Sequence, residues 1–189
     1  PAVALKNNRF ACKTMDDRAC VAMMLLAAEA LGGMHHRADV YFVASAQEEV
    51  GARGARAAAF DLAPDLAVVL DVCHGPVPGS RPDTTCELTS LAVGVGPLLQ
   101  PKLTRRLMDT AKKHGVVLQT EIFPKSTSTD ADRVQLTRAG VPTVLLELPL
   151  KYMHTTVETF DLGVLAEGGR LLAHFLAELT EDWGDDLWT

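Results

Sequence analysis

The chain has 189 residues, of which 48% are hydrophobic and 22% are charged, and its formal net charge is −6. This length and composition suit one globular domain with a sizeable core. The acidic balance and the lack of a basic cluster argue against a nucleic-acid-binding surface. The longest unbroken apolar run, at positions 19–28, is far shorter than the ~20 residues that span a bilayer, so we expect no membrane-spanning helix.

Four cysteines, Cys12, Cys20, Cys73 and Cys86, are scattered without C-x-x-C spacing. In a chain of this length such a pattern is typical of reduced thiols rather than of a disulfide scaffold. No signal peptide is visible at the start of the sequence. Together these observations predict a cytoplasmic protein.

Hydrophobic periodicity predicts that strands and helices alternate along the chain. Strands are predicted over 10–14, 38–45, 66–70, 87–95 (as an edge strand), 116–122 and 144–148. Helices are predicted from Asp16 or Asp17 to Leu31 and over 51–60, 101–114, 131–139 and 161–179, followed by a loosely held tail over 183–189. This alternation predicts an α/β fold, a mainly parallel twisted sheet with helices on both faces, built as a single domain over 1–189.

Acidic side chains and one histidine fall where the predicted strands end or the first helix begins. They are Asp16, Asp17, Glu48, Glu49, Asp71 and His154. In an open α/β sheet, ligands bind outside the carboxyl ends of the strands. Because carboxylates crowded at one edge repel each other unless a cation holds them, this layout predicts a divalent metal site. Carboxylates with histidine suit zinc, manganese or cobalt.

The adjacent glutamates, Glu48 and Glu49, are expected to do different work. Neighbouring side chains on an extended segment point in opposite directions. One of them can therefore bind metal while the other remains free to move a proton to and from a water molecule.

Five short motifs appear in one order along the chain and make it recognisable. They are Thr-Met-Asp-Asp-Arg-Ala at 14–19, Ala-Gln-Glu-Glu-Val-Gly at 46–51, Leu-Asp-Val at 70–72, Thr-Asp-Ala at 129–131 and Lys-Tyr-Met-His-Thr at 151–155. The sequence from about Lys13 to Leu179 resembles the TET-type aminopeptidases, which are dinuclear metallopeptidases that include glutamyl and deblocking aminopeptidases. The resemblance implies hydrolysis of N-terminal residues from peptides with two divalent metal ions, most readily zinc.

The resemblance also implies roles for the metal-ligating residues. Asp16 would bridge the two ions, and Glu49 and His154 would complete one metal site. Asp71 would belong to the second site.

Further roles follow from the same resemblance. Glu48 would be the general base, and Asp17 would help to orient Asp16. Thr129 and Asp130 would lie in a loop on the substrate side of the site.

The sequence departs from the family pattern in two informative ways. Cys20 and Ser128 stand where the family usually has glycine. The family's second metal site also takes a histidine from an N-terminal segment that precedes an inserted dimerisation domain. We expect this chain to begin just after that insertion, which leaves the second site incomplete and the homo-oligomeric assembly of the family in question.

Two alternative functions remain open at this level. The chain could be a catalytically silent portion that serves as an assembly or binding module. It could instead be a related metal-dependent deacylase that acts on a non-peptide amide.

Overall fold

The computed structural model describes residues 2–187, which form five helices and two sheets. The strands are β1 Val3–Ala4, β2 Arg9–Cys12, β3 Ala67–His74, β4 Leu91–Val95, β5 Leu118–Ile122, β6 Thr143–Leu150 and β7 Glu158–Asp161. The helices are α1 Met15–Leu31, α2 Arg53–Leu62, α3 Pro101–Lys113, α4 Ala131–Val134 and α5 Leu162–Ala177.

The main sheet has the strand order β3-β6-β4-β5. Strand β3 runs parallel to β6, and β4 runs parallel to β5, while β4 is antiparallel to β6. All eight residues of β6 are buried, which explains why this strand is a nearly continuous apolar run. Its one charged residue, Glu147, is also buried.

Helices cover both faces of this sheet, so the predicted α/β fold class is confirmed. The larger core cluster joins α1, α3 and α5 to side chains such as Val93, Leu146 and Leu148. A smaller cluster on the opposite face joins α2 and α4 to Val69 and Leu145.

A second, antiparallel sheet has the order β1-β2-β7. Strand β2 leads directly into α1, and β7 follows the loop that carries His154. Because β2 and β7 are paired from Arg9 with Asp161 to Cys12 with Glu158, this small sheet holds the start of α1 beside the His154 loop.

The prediction of a strand over 38–45 is wrong. Within residues 2–187, no backbone–backbone hydrogen bond joins this segment to a strand, although its composition is typical of one. Tyr41 is 67% exposed. A strand requires a neighbour for its amides and carbonyls, and composition does not reveal whether that neighbour is present.

Three smaller expectations also need correction. Strand β4 is an interior strand, because it pairs with both β5 and β6. Helix α4 is only four residues long. The tail is held as far as the structure describes it, since the Gln100 side chain donates to the Leu187 carbonyl at 2.7 Å and Leu187 is buried; residues 188 and 189 lie outside the described range.

Among the described residues, no helix combines the length and apolar character needed to cross a membrane.

Candidate metal centre

Three of the sequence-predicted ligands converge at one end of the molecule. The Nε2 atom of His154 lies 2.9 Å from Oδ2 of Asp16 and 3.4 Å from Oε1 of Glu49. The ligand atoms of the three residues all lie within 4.8 Å of one another. Asp16 is half-buried, whereas His154 and Glu49 face solvent, so the group forms an open, three-ligand site.

A buried acid that sequence reasoning missed holds this group in place. Glu158 is only 2% exposed, and its carboxylate accepts three backbone N–H groups. Oε2 accepts from Met15 at 2.5 Å and from Asp16 at 3.2 Å, and Oε1 accepts from His154 at 2.8 Å. Glu158 therefore fixes the segments carrying Asp16 and His154 relative to each other. The position of Glu158, four residues after His154 in the sequence, is only a weak indication that it belongs to the site.

The Asp17 side chain shapes the start of α1, the helix that the sequence predicts to begin at Asp16 or Asp17. The backbone at Asp16 and Asp17 is not helical, and the peptide bond between them is cis. The Asp17 carboxylate accepts the Cys20 amide at 3.1 Å, which satisfies a backbone donor in the first helical turn.

Cys20 links α1 to β3. Its Sγ donates to the carbonyl of Asp71 at 3.2 Å, and the side chain is buried. Asp71 is itself buried in β3 rather than following it, and its carboxylate accepts the Val72 amide at 2.8 Å. Asp71 lies outside the group of three ligands within 4.8 Å.

Burial and mutual repulsion raise the pKa of these carboxyl groups. Burial, and secondarily the charge of Glu49, raises the pKa of Asp16. Burial raises the pKa of Asp17 to about 8. Burial, then the charge of Asp17, raises the pKa of Asp71 to about 8. Such groups ionise together only when a cation compensates them, so the donor set fits divalent metal ions.

Glu48 and Glu49 lie in a turn rather than on an extended segment, yet they face different neighbours. Glu49 contacts His154. Partial burial, then the charges of Asp130 and Glu49, raise the pKa of Glu48. The expected division of work between the two glutamates is therefore compatible with their surroundings, although the turn and not strand alternation produces it.

The predicted substrate-side loop contains two residues with different surroundings. The Thr129 hydroxyl is buried and lies 2.9 Å from that of Thr127, and it accepts the Ala131 amide at 3.1 Å, so it stabilises the loop. The Asp130 carboxylate accepts from the Ser45 hydroxyl at 2.5 Å and lies near enough to Glu48 to raise its pKa. Ser128 has φ of 60°, a left-handed conformation that glycine adopts more readily than serine.

The sequence profile of the M42 glutamyl aminopeptidase family matches residues 1–171. The chain belongs to the M42 family. Among curated relatives, the lysyl aminopeptidase of Pyrococcus furiosus is 40% identical over 176 residues, which cover 93% of this chain and 50% of the relative. This M42 chain thus spans about half the length of the curated relatives that it matches.

Solved structures of archaeal aminopeptidases have the same fold as this M42 chain. The aminopeptidase APDkam598 from Desulfurococcus kamchatkensis superposes with a TM-score of 0.91 at 32% identity, covering 100% of this chain and 54% of the other. The TET aminopeptidase from Thaumarchaeota archaeon SCGC AB-539-E09 gives a TM-score of 0.92 at 28% identity, covering 99% and 54%. The resemblance to TET-type aminopeptidases inferred from the motifs is confirmed.

Proposed function

We propose that this chain carries the catalytic machinery of a metal-dependent aminopeptidase that removes N-terminal residues from peptides. The observation that carries the proposal is the convergence of Asp16, Glu49 and His154 within 4.8 Å in a chain of the M42 family. Metallopeptidases of this family generally take divalent metal ions. Peptide substrates and a cytoplasmic location are part of the same proposal, whereas homo-oligomeric assembly is proposed for the full-length proteins of the family and not for this chain by itself.

The resemblance assigns four residues to metal binding, and the geometry supports three of them by bringing Asp16, Glu49 and His154 together. Asp16, Glu49 and His154 would hold one ion, and Asp16 with Asp71 would contribute to a second. Zinc suits this ligand set best, with cobalt or manganese as alternatives. When bound, such ions polarise the substrate carbonyl and make water more acidic. Glu158 and Asp17 would keep Asp16 in position without binding the ions themselves.

Glu48 is the proposed general base. Its raised pKa brings its proton affinity closer to that of a group that works near neutral pH. It would accept a proton from the attacking water and deliver it to the leaving amine. Asp130, which follows Thr129 in the substrate-side loop, lies near Glu48. Its negative charge favours the uptake of a proton by Glu48.

Replacing Glu48 by glutamine tests the assignment. Glu48→Gln should retain bound metal but lose nearly all turnover, because the amide keeps the shape of the side chain without accepting the proton. Hydrolysis of amino-acid anilides and metal content are measured on the same samples. Glu29→Gln, on the exposed surface of α1, is the matched control and should behave like the unaltered chain. Activity of Glu48→Gln within tenfold of the control would exclude Glu48 as the base.

Metal analysis separates the proposal from its alternatives. About two ions per chain together with aminopeptidase activity support the enzyme. One ion or none, with no activity on the anilide panel, supports an assembly or binding module, for which the position of Asp71 outside the three-ligand group is the favouring observation. Activity on acylated amino acids but not on anilides would identify a deacylase.

A further inference from the structure

A second group of metal-ligating side chains lies apart from the three-ligand site. The ligand atoms of Cys73, Cys86 and Glu121 all lie within 4.8 Å of one another. Cys73 is in β3, Glu121 is in β5, and Cys86 is in the loop before β4. The Cys86 amide donates to the carbonyl of His74 at 2.8 Å, which ties this loop to the end of β3. Both cysteines are buried free thiols.

Strand register places a fourth side chain, Glu147, on the same face of the sheet. Glu147 pairs with Ala92, and Glu121 pairs with Gly94. Ala92 and Gly94 are two residues apart on β4, so their partners project to the same side. Cys73 shares this face, because it lies two residues after Asp71, the β3 partner of Glu147.

One carboxylate oxygen of each of the two glutamates is buried without the partner that such an atom normally has. Glu147 is only 1% exposed. Within residues 2–187, Oε2 of Glu147 and Oε2 of Glu121 are buried without a hydrogen-bond partner, and neither residue forms an ion pair with lysine or arginine. Burial, then the charge of Glu121, raises the pKa of Glu147. Buried polar atoms are normally satisfied, and one left unpaired calls for an explanation such as a missing ion.

We propose that Cys73, Cys86 and Glu121, with Glu147 as the fourth side chain, bind a divalent cation that favours thiolate ligands, such as Zn²⁺ or Co²⁺. Two sulfurs and carboxylate oxygens form a donor set typical of these ions and unlike the carboxylate–histidine set of the candidate metal centre. Each thiol releases its proton to solvent as it binds the ion. Because β5 is an edge strand and Glu121 is only half-buried, the ion can enter from that edge.

Cobalt titration tests the proposal with a signal that only thiolate ligands produce. The full chain is stripped of metal with a chelator, kept reduced and titrated with Co²⁺ while its absorption spectrum is recorded. We expect a sulfur-to-cobalt charge-transfer band whose final intensity corresponds to one thiolate-bound Co²⁺ per chain, in addition to any Co²⁺ that the candidate metal centre binds. The double variant Cys73→Ser/Cys86→Ser should lose this band. Glu121→Gln, which preserves both thiols, should weaken the Co²⁺ affinity read from the band by about tenfold or more.

Three control variants make the result specific to this cluster. Cys12→Ser and Cys20→Ser remove the other two thiols, and both should keep the band. His154→Ala should also keep it, because the candidate metal centre supplies no thiolate; this separates a failure of the present proposal from a failure of the aminopeptidase proposal. No charge-transfer band at saturating Co²⁺, or a band lost in Cys20→Ser and kept in the double variant, would overturn the proposal.

Discussion

Glu158 shows how much of the candidate metal centre depends on a residue that does not face the ligand atoms. Its two carboxylate oxygens accept the amides of Met15, Asp16 and His154. Hydrogen bonds to a charged acceptor each contribute about 1.5–3 kcal/mol, and burial makes the loss of one costly. Glu158 thus positions two of the three converging ligands without contacting the space between them.

Glu158→Gln is expected to lower the free energy of unfolding by about 1–3 kcal/mol and to weaken metal binding at the candidate centre. Glutamine offers one acceptor oxygen where the carboxylate offers two, so one of the bonded segments is released. Metal affinity by calorimetry and unfolding by denaturant provide the two readouts, with Glu29→Gln as the control. Unchanged metal affinity in a folded Glu158→Gln chain would show that Glu158 stabilises the fold and does not contribute to metal binding.

At the scale of an element, the turn that carries Glu48 and Glu49 is packed against the start of α2. The Gly54 amide donates to the Ala46 carbonyl at 2.9 Å, and the Ala52 amide donates to the Glu48 carbonyl at 2.9 Å. A Cβ atom on Gly54 would lie 2.4 Å from that same Ala46 carbonyl oxygen. Glycine at this position therefore lets the helix approach the turn closely enough to hold it.

Gly54→Ala should displace the turn, because the contact is with backbone that cannot rotate away. We expect a loss of about 1–3 kcal/mol of stability, in the range of overpacking substitutions, together with weaker metal binding through Glu49. Gly184→Ala is the matched control, since a Cβ atom there meets nothing within 4 Å. Thermal unfolding and metal titration compare the two, and equal values for both variants would contradict this account.

Element-scale expectations from the sequence succeeded where the signal was local. Pro101 begins α3, and Asp161 caps α5 by accepting the amides of Gly163 and Val164, because helix ends are encoded by the residues that occupy them. The segment 38–45 has the composition of a strand and is not one, since pairing depends on a partner elsewhere in the chain.

At the scale of the whole molecule, the buried acids make stability depend on pH. Burial raises the pKa of Asp17 and of Asp71 to about 8, above their unfolded value of 3.8. Between these values the folded chain holds protons that the unfolded chain has released. Stability is therefore lost as pH rises through this window, by up to about 1.4 kcal/mol per pH unit for each such group.

The metal-free chain should consequently unfold more easily at about pH 8 than at about pH 5. Excess Zn²⁺ should offset the loss at the higher pH, because the ion binds the deprotonated carboxylates of the folded state. Denaturant unfolding with chelator and then with Zn²⁺ measures both effects. Asp17→Asn should flatten the metal-free profile; a metal-free stability that rises over this range would refute the assignment of these raised pKa values.

The sequence by itself determined the α/β class, the first residues of α3 and α5, and the acids and histidine that converge as Asp16, Glu49 and His154. Hydrophobic periodicity, helix caps and strand ends depend on residues that are close together in the chain, so they can be predicted from the sequence. Only the tertiary structure decided that Glu158 fixes Asp16 and His154, that 38–45 has no strand partner within residues 2–187, and that Cys73, Cys86 and Glu121 meet. These features depend on hydrogen bonds and strand register between segments that are far apart in the chain. The identity of a residue does not indicate which distant segment it will contact.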